Sequence, residues 1–227
     1  MSVIDWQAIA LSVRLAALVV VILLVLAVPL AWWLAFHRRR WMFLIEAVVA
    51  LPLVLPPTVL GFYMLLAMGS RGVLGRTWEA VTGHGLAFTF EGLVFASLLY
   101  SLPFVVQPIA ASFAQLDRTM LEAAATLGAS PWRRLTRIVL PLSLDGVLAA
   151  CVLGFAHTLG EFGVVLMVGG NLPGVTRTVS ISIYDDVQAL HLEAAHATAL
   201  LLLGVSFACL AAVYALLRKP WAVAPLA

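Results

Sequence analysis

Polar residues recur at helical spacing inside one of the most apolar parts of the chain. Gly154, His157, Thr158 and Glu161 are separated by one to four residues, a spacing that keeps them on one face of a helix. Ionisable groups in apolar segments are functional candidates by default. Along a straight helix Glu161 would lie about 30 Å from Pro141. If the segment spans a membrane, this distance would place Glu161 near the outer membrane–water interface. The pattern predicts that Thr158 and Glu161 form a hydrogen-bonding gate or that Glu161 anchors the following loop.

A second apolar segment, from Leu51 to Gly61, is interrupted by prolines. Its three prolines are Pro52, Pro56 and Pro57. Such breaks are tolerated within a membrane where the freed backbone groups meet protein or a water-filled cavity, and broken helices often mark a transport pathway. The segment predicts either a pathway or a packing kink. For a pathway, Thr58 offers a hydroxyl and Gly61 allows close backbone approach.

Other reactive residues do not form a recognisable site. His191 and His196 flank Glu193, but histidines five residues apart differ by about 140° around a helix and cannot share a metal as an i, i+4 pair does. Cys151 and Cys209 lie in apolar runs and read as small buried hydrophobes. No Gly-x-x-x-x-Gly-Lys-Ser phosphate loop occurs. We therefore expect no metal, no catalytic residue and no ATP hydrolysis by this chain.

The composition indicates an integral membrane protein. Of 227 residues, 63% are hydrophobic and 11% are charged, whereas about a quarter are charged in soluble domains. Five segments are long and apolar enough to span a bilayer: residues 11–36, 47–68, 92–115, 138–167 and 197–217. The first is too long for a signal-peptide core. The pattern predicts an all-α domain over 1–227 with five transmembrane helices, polar loops at 69–91 and 168–196, and a polar segment at 116–137.

The basic residues predict the orientation. One set of connecting segments contains Arg38, Arg39, Arg40, Arg118, Arg133, Arg134, Arg137, Arg218 and Lys219. The other set contains Arg71, Arg76 and Arg177. Because cytoplasmic loops are enriched in Lys and Arg, we expect an N-terminus outside the cytoplasmic membrane and a C-terminus in the cytoplasm.

The polar segment is predicted to fold as helix, tight turn and helix. Thr119 to Leu127 is rich in helix formers, and Gly128 suits the left-handed position just past a helix end. Ser130 followed by Pro131 is a typical start of a new helix. A short helix held outside the bilayer presents a surface to a cytoplasmic partner.

The same segment resembles the cytoplasmic-loop signature of binding-protein-dependent ABC importer permeases. The signature is Glu-Ala-Ala, three residues, Gly, nine residues, Ile, one residue and Leu-Pro. It is matched here by Glu122, Ala123, Ala124, Gly128, Ile138, Leu140 and Pro141. Residues 55–58, 155–174 and 179–186 further resemble the molybdate permease branch, which is close to the sulfate permeases.

The resemblance implies a type I (MetI-like) permease fold in a transmembrane, non-catalytic subunit. Glu122, Ala123, Ala124 and Gly128 would form the coupling helix that docks on the ATPase. The implied partners are a second copy of the chain, two ATP-binding cassette subunits that hold ATP and Mg²⁺, and a periplasmic molybdate-binding protein. No nucleic acid is implied.

Several alternatives stay open on the sequence alone. Sulfate, thiosulfate or tungstate could be the substrate of the same machine. An intramembrane enzyme using His157 and Glu161 is a remote alternative. Polar breaks in two spans argue against a purely structural scaffold.

Overall fold

The described part of the chain is entirely helical. A computed structural model describes residues 4–37 and 40–216, except for the side chain of Val213. The first helices are α1 (Trp6–Phe36), α2 (Met42–Val54), α3 (Pro57–Met68), α4 (Val73–Thr82), α5 (Phe90–Ala114) and α6 (Arg118–Thr126). The rest are α7 (Pro131–Arg134), α8 (Leu140–Leu142), α9 (Leu144–Leu159), α10 (Gly163–Gly169), α11 (Val179–Gln188) and α12 (Leu192–Leu216), with a π-helical turn over Leu135–Val139.

Helices α1, α5 and α9 pack together around the main hydrophobic core. Leu15, Val19 and Leu23 recur every four residues on α1, so they form one buried stripe. Gly154 on α9 allows a close approach to α5, since a Cβ there would lie 2.6 Å from Val105 Cγ2. Small residues at such crossings let membrane helices pack closely. Helix α1 begins before the predicted span, because the Asp5 carboxylate caps it by accepting a hydrogen bond from the backbone N–H of Ala8 at 3.0 Å.

Two of the predicted spans are bent. Helices α2 and α3 meet at 110°, and the segment from Pro131 to Leu142 meets α9 at 77°. The first bend follows from Leu55 and Pro56, which each precede a proline and adopt extended ψ angles of 136° and 135°. The described residues contain three helices that could each cross a membrane, or up to five crossings if each bent pair counts as one.

The predicted loops contain helices of their own. Helix α4 lies within residues 69–91, and helix α11 lies within residues 168–196. The predicted span 138–167 is not one straight helix, since α9 starts only at Leu144 and ends at Leu159. The glycine and polar residues of these two segments favour loops in the sequence pattern, so the short helices were not predicted.

Long-range contacts sort the connecting segments into two ends of the bundle. At one end the Arg14 guanidinium lies 4.7 Å from the Phe90 ring centroid, and the Ser12 hydroxyl accepts a hydrogen bond from the Val179 backbone N–H at 2.8 Å. At the other end Arg118 donates to the Ala35 carbonyl at 3.1 Å. The starts of α1 and α5 therefore share one end, and the end of α1 lies beside the start of α6.

Candidate functional site

A polar network joins α5 to α9 inside the bundle. The Ser101 hydroxyl lies 2.8 Å from Thr158 Oγ1 and 3.0 Å from His157 Nδ1. The Thr158 hydroxyl donates its single hydrogen to the Gly154 carbonyl at 2.9 Å, so Ser101 is the donor in its contact with Thr158. Thr158 and Ser101 are both buried. The network fixes the polar face of α9 that the sequence predicted.

Glu161 lies in the short break between α9 and α10. Its side chain is only 4% exposed, and its Oε2 accepts a hydrogen bond from the Ser97 hydroxyl at 2.9 Å. Its Oε1 has no hydrogen-bond partner among the described residues. The straight helix expected from Pro141 to Glu161 is not present, because the segment bends by 77° before α9 and α9 ends at Leu159. Ser97 lies about two turns inside α5, so Glu161 is held within the bundle.

Thr58 and Glu161 line one cavity of about 610 Å³. His157 and Tyr100 line it too, and the His157 ring packs between Tyr100 and Phe104, with ring centroids 4.8 Å and 3.8 Å away. The cavity offers hydroxyl, imidazole and carboxyl groups, which can hydrogen-bond a polar solute. Among the described residues no cluster of His, Cys, Asp and Glu could hold a metal ion.

Two of the four predicted pathway residues lie away from this cavity surface. Thr158 is buried behind it at the interface with α5. Gly61 is buried where α3 crosses α10, and a Cβ there would lie 2.8 Å from Met167 Cβ. The close backbone approach expected at Gly61 is therefore to a neighbouring helix.

Sequence reasoning missed the contribution of α5 to the site. Ser97, Tyr100 and Ser101 face α9 and the cavity from the third apolar segment. Their spacing of three and four residues is a polar helical stripe of the same kind as the one recognised on α9. That spacing could have identified them.

The polar segment after α5 folds as predicted, with a helix, a tight turn and a second helix. The Asp117 side chain caps α6 by accepting from the Thr119 backbone N–H at 2.9 Å. Hydrogen bonding by the Thr119 side chain, and then by this backbone N–H, lowers the pKa of Asp117. Ser130 caps α7 by accepting from the Arg133 backbone N–H at 3.2 Å. Pro131 occupies the first turn of that helix.

The turn between the two helices is built on Gly128. Its φ of +83° is left-handed, as predicted. The backbone N–H of Ala129 donates to the Ala124 carbonyl at 2.9 Å, and that of Gly128 donates to the Ala125 carbonyl at 3.0 Å. This pair of bonds is the Schellman arrangement that closes a helix end.

Helix α6 turns one face inward and leaves the other open. Leu121 is 5% exposed and packs into the core, whereas Glu122 and Ala123 are exposed. Beside them Leu127 is 88% exposed and Trp132 is 71% exposed. An exposed apolar rim next to small residues is a surface suited to a protein partner.

The chain is similar in sequence to a known family of transport proteins. The family described as "Binding-protein-dependent transport system inner membrane component" matches residues 27–220. The chain is 51% identical over 210 residues to the "Molybdenum transport system permease protein ModB" of Azotobacter vinelandii, covering 92% of this chain and 93% of that relative. It is 40% identical over 215 residues to the protein of the same name from Haemophilus influenzae, covering 95% and 92%.

Solved structures confirm the predicted fold. A crystal structure of a bacterial alginate ABC transporter, in complex with an alginate pentasaccharide-bound periplasmic protein, aligns with a TM-score of 0.75 at 16% identity. The alignment covers 94% of this chain and 78% of that chain. The family match also confirms that the chain is a non-catalytic membrane subunit of a transporter and not an intramembrane enzyme. The chain belongs to the family of binding-protein-dependent transport system inner membrane components.

Proposed function

We propose that this chain is the permease subunit of an ATP-driven importer that moves molybdate across the cytoplasmic membrane. The observation that carries the proposal is the 51% identity, over 92% of the chain, with a relative named as a molybdenum transport permease. The cavity at Thr58 and Glu161 supports it, because hydrogen-bonding groups line an opening beside a broken helix. In this role Thr58, Gly61, Thr158 and Glu161 belong to the pathway or to its supporting shell.

Coupling to ATP hydrolysis would run through α6. Glu122, Ala123 and Gly128 are exposed and Ala124 is half-buried on α6 and its closing turn, and this surface would dock on an ATP-binding cassette subunit. The ATPase would hold ATP and Mg²⁺, so this chain needs no cofactor of its own. Two ATPase subunits and a periplasmic molybdate-binding protein complete the proposed assembly. An alginate transporter crystallised with a periplasmic protein supports this type of partner.

A second copy of the chain would complete the pathway, and the pair of copies would transport the substrate by alternating access. Helices α2 and α3 expose large apolar side chains near the bend, including Val54 at 82% and Tyr63 at 63%. The cavity at Thr58 lies beside this face. Pairing of two copies there would cover the apolar face and enclose a route that one copy leaves open.

The proposed orientation places the start of α1 in the periplasm and α6 in the cytoplasm. The grounds are the nine basic residues in one set of connecting segments against three in the other. Two contacts support this division of the basic residues between the two ends. Arg118 lies beside the end of α1, and Arg177 lies just before Val179, which bonds to Ser12 near the start of α1.

A second substrate of the same transporter is tungstate, because tungstate is a tetrahedral dianion similar to molybdate.

Reconstituted vesicles test the substrate. The chain would be assembled with its ATPase and loaded binding protein, and uptake of labelled molybdate would be followed. We expect uptake that requires ATP and is reduced by excess tungstate but little by excess sulfate. A complex without ATPase subunits is the control. Efficient sulfate uptake with no competition by molybdate would assign the chain to sulfate transport.

A further inference from the structure

Three cavities follow one another along α2 and α5. The first is the cavity at Thr58 and Glu161. The second has a volume of about 350 Å³ and is lined by Leu53, Phe104 and Leu153 among others, and Phe104 stacks on the His157 ring that lines the first. The third has a volume of about 880 Å³ and lies between the end of α1, the start of α2 and the end of α5. Gln107 and Ala111 line both the second and the third cavity, so these two adjoin each other, and we call the row of three cavities the groove.

The chemistry of the groove changes along its length. The first cavity carries hydroxyl, imidazole and carboxyl groups on a mostly apolar wall, and the second is almost wholly apolar, with Gln107 as its polar group. The third is lined by the basic residues His37, Arg40 and Arg118 together with one carboxylate, Glu46. Two arginines against one carboxylate leave a net positive charge there. A groove that ends in positive charge attracts an anion toward that end.

Arg118 is fixed at the mouth of the third cavity. Its Nη2 donates to the Ala35 carbonyl at 3.1 Å. A guanidinium has five N–H donors, so this bond leaves donors free for another acceptor. Guanidinium groups match the oxygens of tetrahedral anions by paired, charge-assisted hydrogen bonds.

We infer that the third cavity is a transient oxyanion-binding site, with Arg40 and Arg118 as its ligands, on the exit route of molybdate to the cytoplasm. This inference rests on the proposed function. Glu46 opposes the anion and keeps the site weak, which suits an exit that must release its solute. Arg118 is also the first residue of α6, so the anion leaves the groove beside the helix that would dock on the ATPase.

A binding experiment without the periplasmic protein tests the site. The probe is molybdate alone, measured by equilibrium dialysis against the purified complex of permease and ATPase. We expect Arg40→Gln to weaken binding about tenfold, since it removes a charge-assisted contact. Arg40→Gln leaves the contact between Arg118 and Ala35 in place. Arg118→Lys keeps the positive charge but loses the paired N–H donors of the guanidinium, so it is expected to weaken binding less than Arg118→Gln.

Two further variants make the experiment sharper. Glu46→Gln is expected to tighten molybdate binding and to slow its release, because it removes the opposing charge. Arg76→Gln is the matched control, since it is an exposed arginine on α4 that does not line the groove, and it should leave binding unchanged. Unchanged binding in both Arg40→Gln and Arg118→Gln would overturn the inference.

A phospholipid phosphate is the competing occupant, because Met42, Phe43 and Val49 also line the cavity. Adding an anionic phospholipid to the dialysis distinguishes the two. Tight lipid binding that depends on Arg40 and is not displaced by molybdate would overturn the inference. Uptake by the wild-type complex, measured in parallel, separates the two proposals. Normal molybdate uptake with no effect of the arginine variants on binding would reject only the exit site.

Discussion

At the scale of single residues, the position of Glu161 depends on one hydrogen bond. Ser97 is fully buried, Glu161 is 4% exposed, and the only described donor to the carboxylate is the Ser97 hydroxyl. A buried polar group left without a partner destabilises a protein more than the bond itself stabilises it. The contact therefore matters to the packing of the break against α5 and to the shape of the cavity at Thr58.

We predict that Ser97→Ala destabilises the complex by about 1–2 kcal/mol, because it leaves the buried carboxyl without its donor. Thermal unfolding in detergent would show a lower midpoint. Ser70→Ala is the control, since Ser70 is exposed on the loop before α4.

Replacing both partners checks the cause of this effect. Ser97→Ala combined with Glu161→Met removes donor and acceptor together, and we expect it to recover part of the stability lost in Ser97→Ala. A midpoint for Ser97→Ala equal to that of the wild type would show that this bond does not hold Glu161 in place.

At the scale of elements, the polar segment at 116–137 is defined by its caps. Asp117 starts α6, Gly128 ends it and Ser130 starts α7. A Cβ at Gly128 would meet no atom within 4 Å, so the glycine is required by its left-handed φ and not by space. This distinction predicts different outcomes for different replacements.

We predict that Gly128→Val abolishes or strongly reduces uptake, whereas Gly128→Asn retains most of it. A β-branched residue pays about 1–2 kcal/mol or more in the left-handed region, and asparagine tolerates that region. Uptake rate and ATPase retention on purification are the measurements. Both variants should reach the membrane, because the turn is outside the apolar spans. Wild-type uptake by Gly128→Val would show that the turn is not needed for coupling.

The elements that sequence reasoning predicted well are those whose signals are local. The cap of α7 and the left-handed turn are encoded by Ser130 and Gly128 themselves, so the sequence predicts both. The partners of a side chain across helices carry no such local signal. Neither the burial of Glu161 against Ser97 nor the packing of Gly61 on α10 could be read from spacing along one segment.

Breaks within apolar segments were predicted only where proline caused them. Pro56 and Pro57 indicated the break before α3, although not its angle of 110°. The bend at Ser143 lies two residues after Pro141 but was not predicted, because proline is also tolerated in the first turn of a continuous helix. The end of α9 at Gly160 has no proline, and the apolar run there concealed it. The straight-helix distance to Glu161 failed for this reason.

At the scale of the whole molecule, α5 runs from one end of the bundle to the other. It is an unbroken helix of 25 residues, about 37 Å long, which exceeds the hydrocarbon thickness of a bilayer. Gly83 precedes it and Ser130 follows it, so the two positions are expected on opposite sides of the membrane. In the proposed orientation, the excess of basic residues at the α6 end predicts that Ser130 lies in the cytoplasm.

We predict that a reporter fused at Gly83 reports the periplasm and one fused at Ser130 reports the cytoplasm. Each fusion would be made with two reporters, one active only in the periplasm and one active only in the cytoplasm, so that each site has an internal control. The same side for both positions would contradict five crossings with α5 as one of them. The reverse assignment would keep the crossings but place α6 and the Arg118 end of the groove outside the cell. An ATPase that works in the cytoplasm could not then reach Glu122, and the proposed coupling and exit site would fail together.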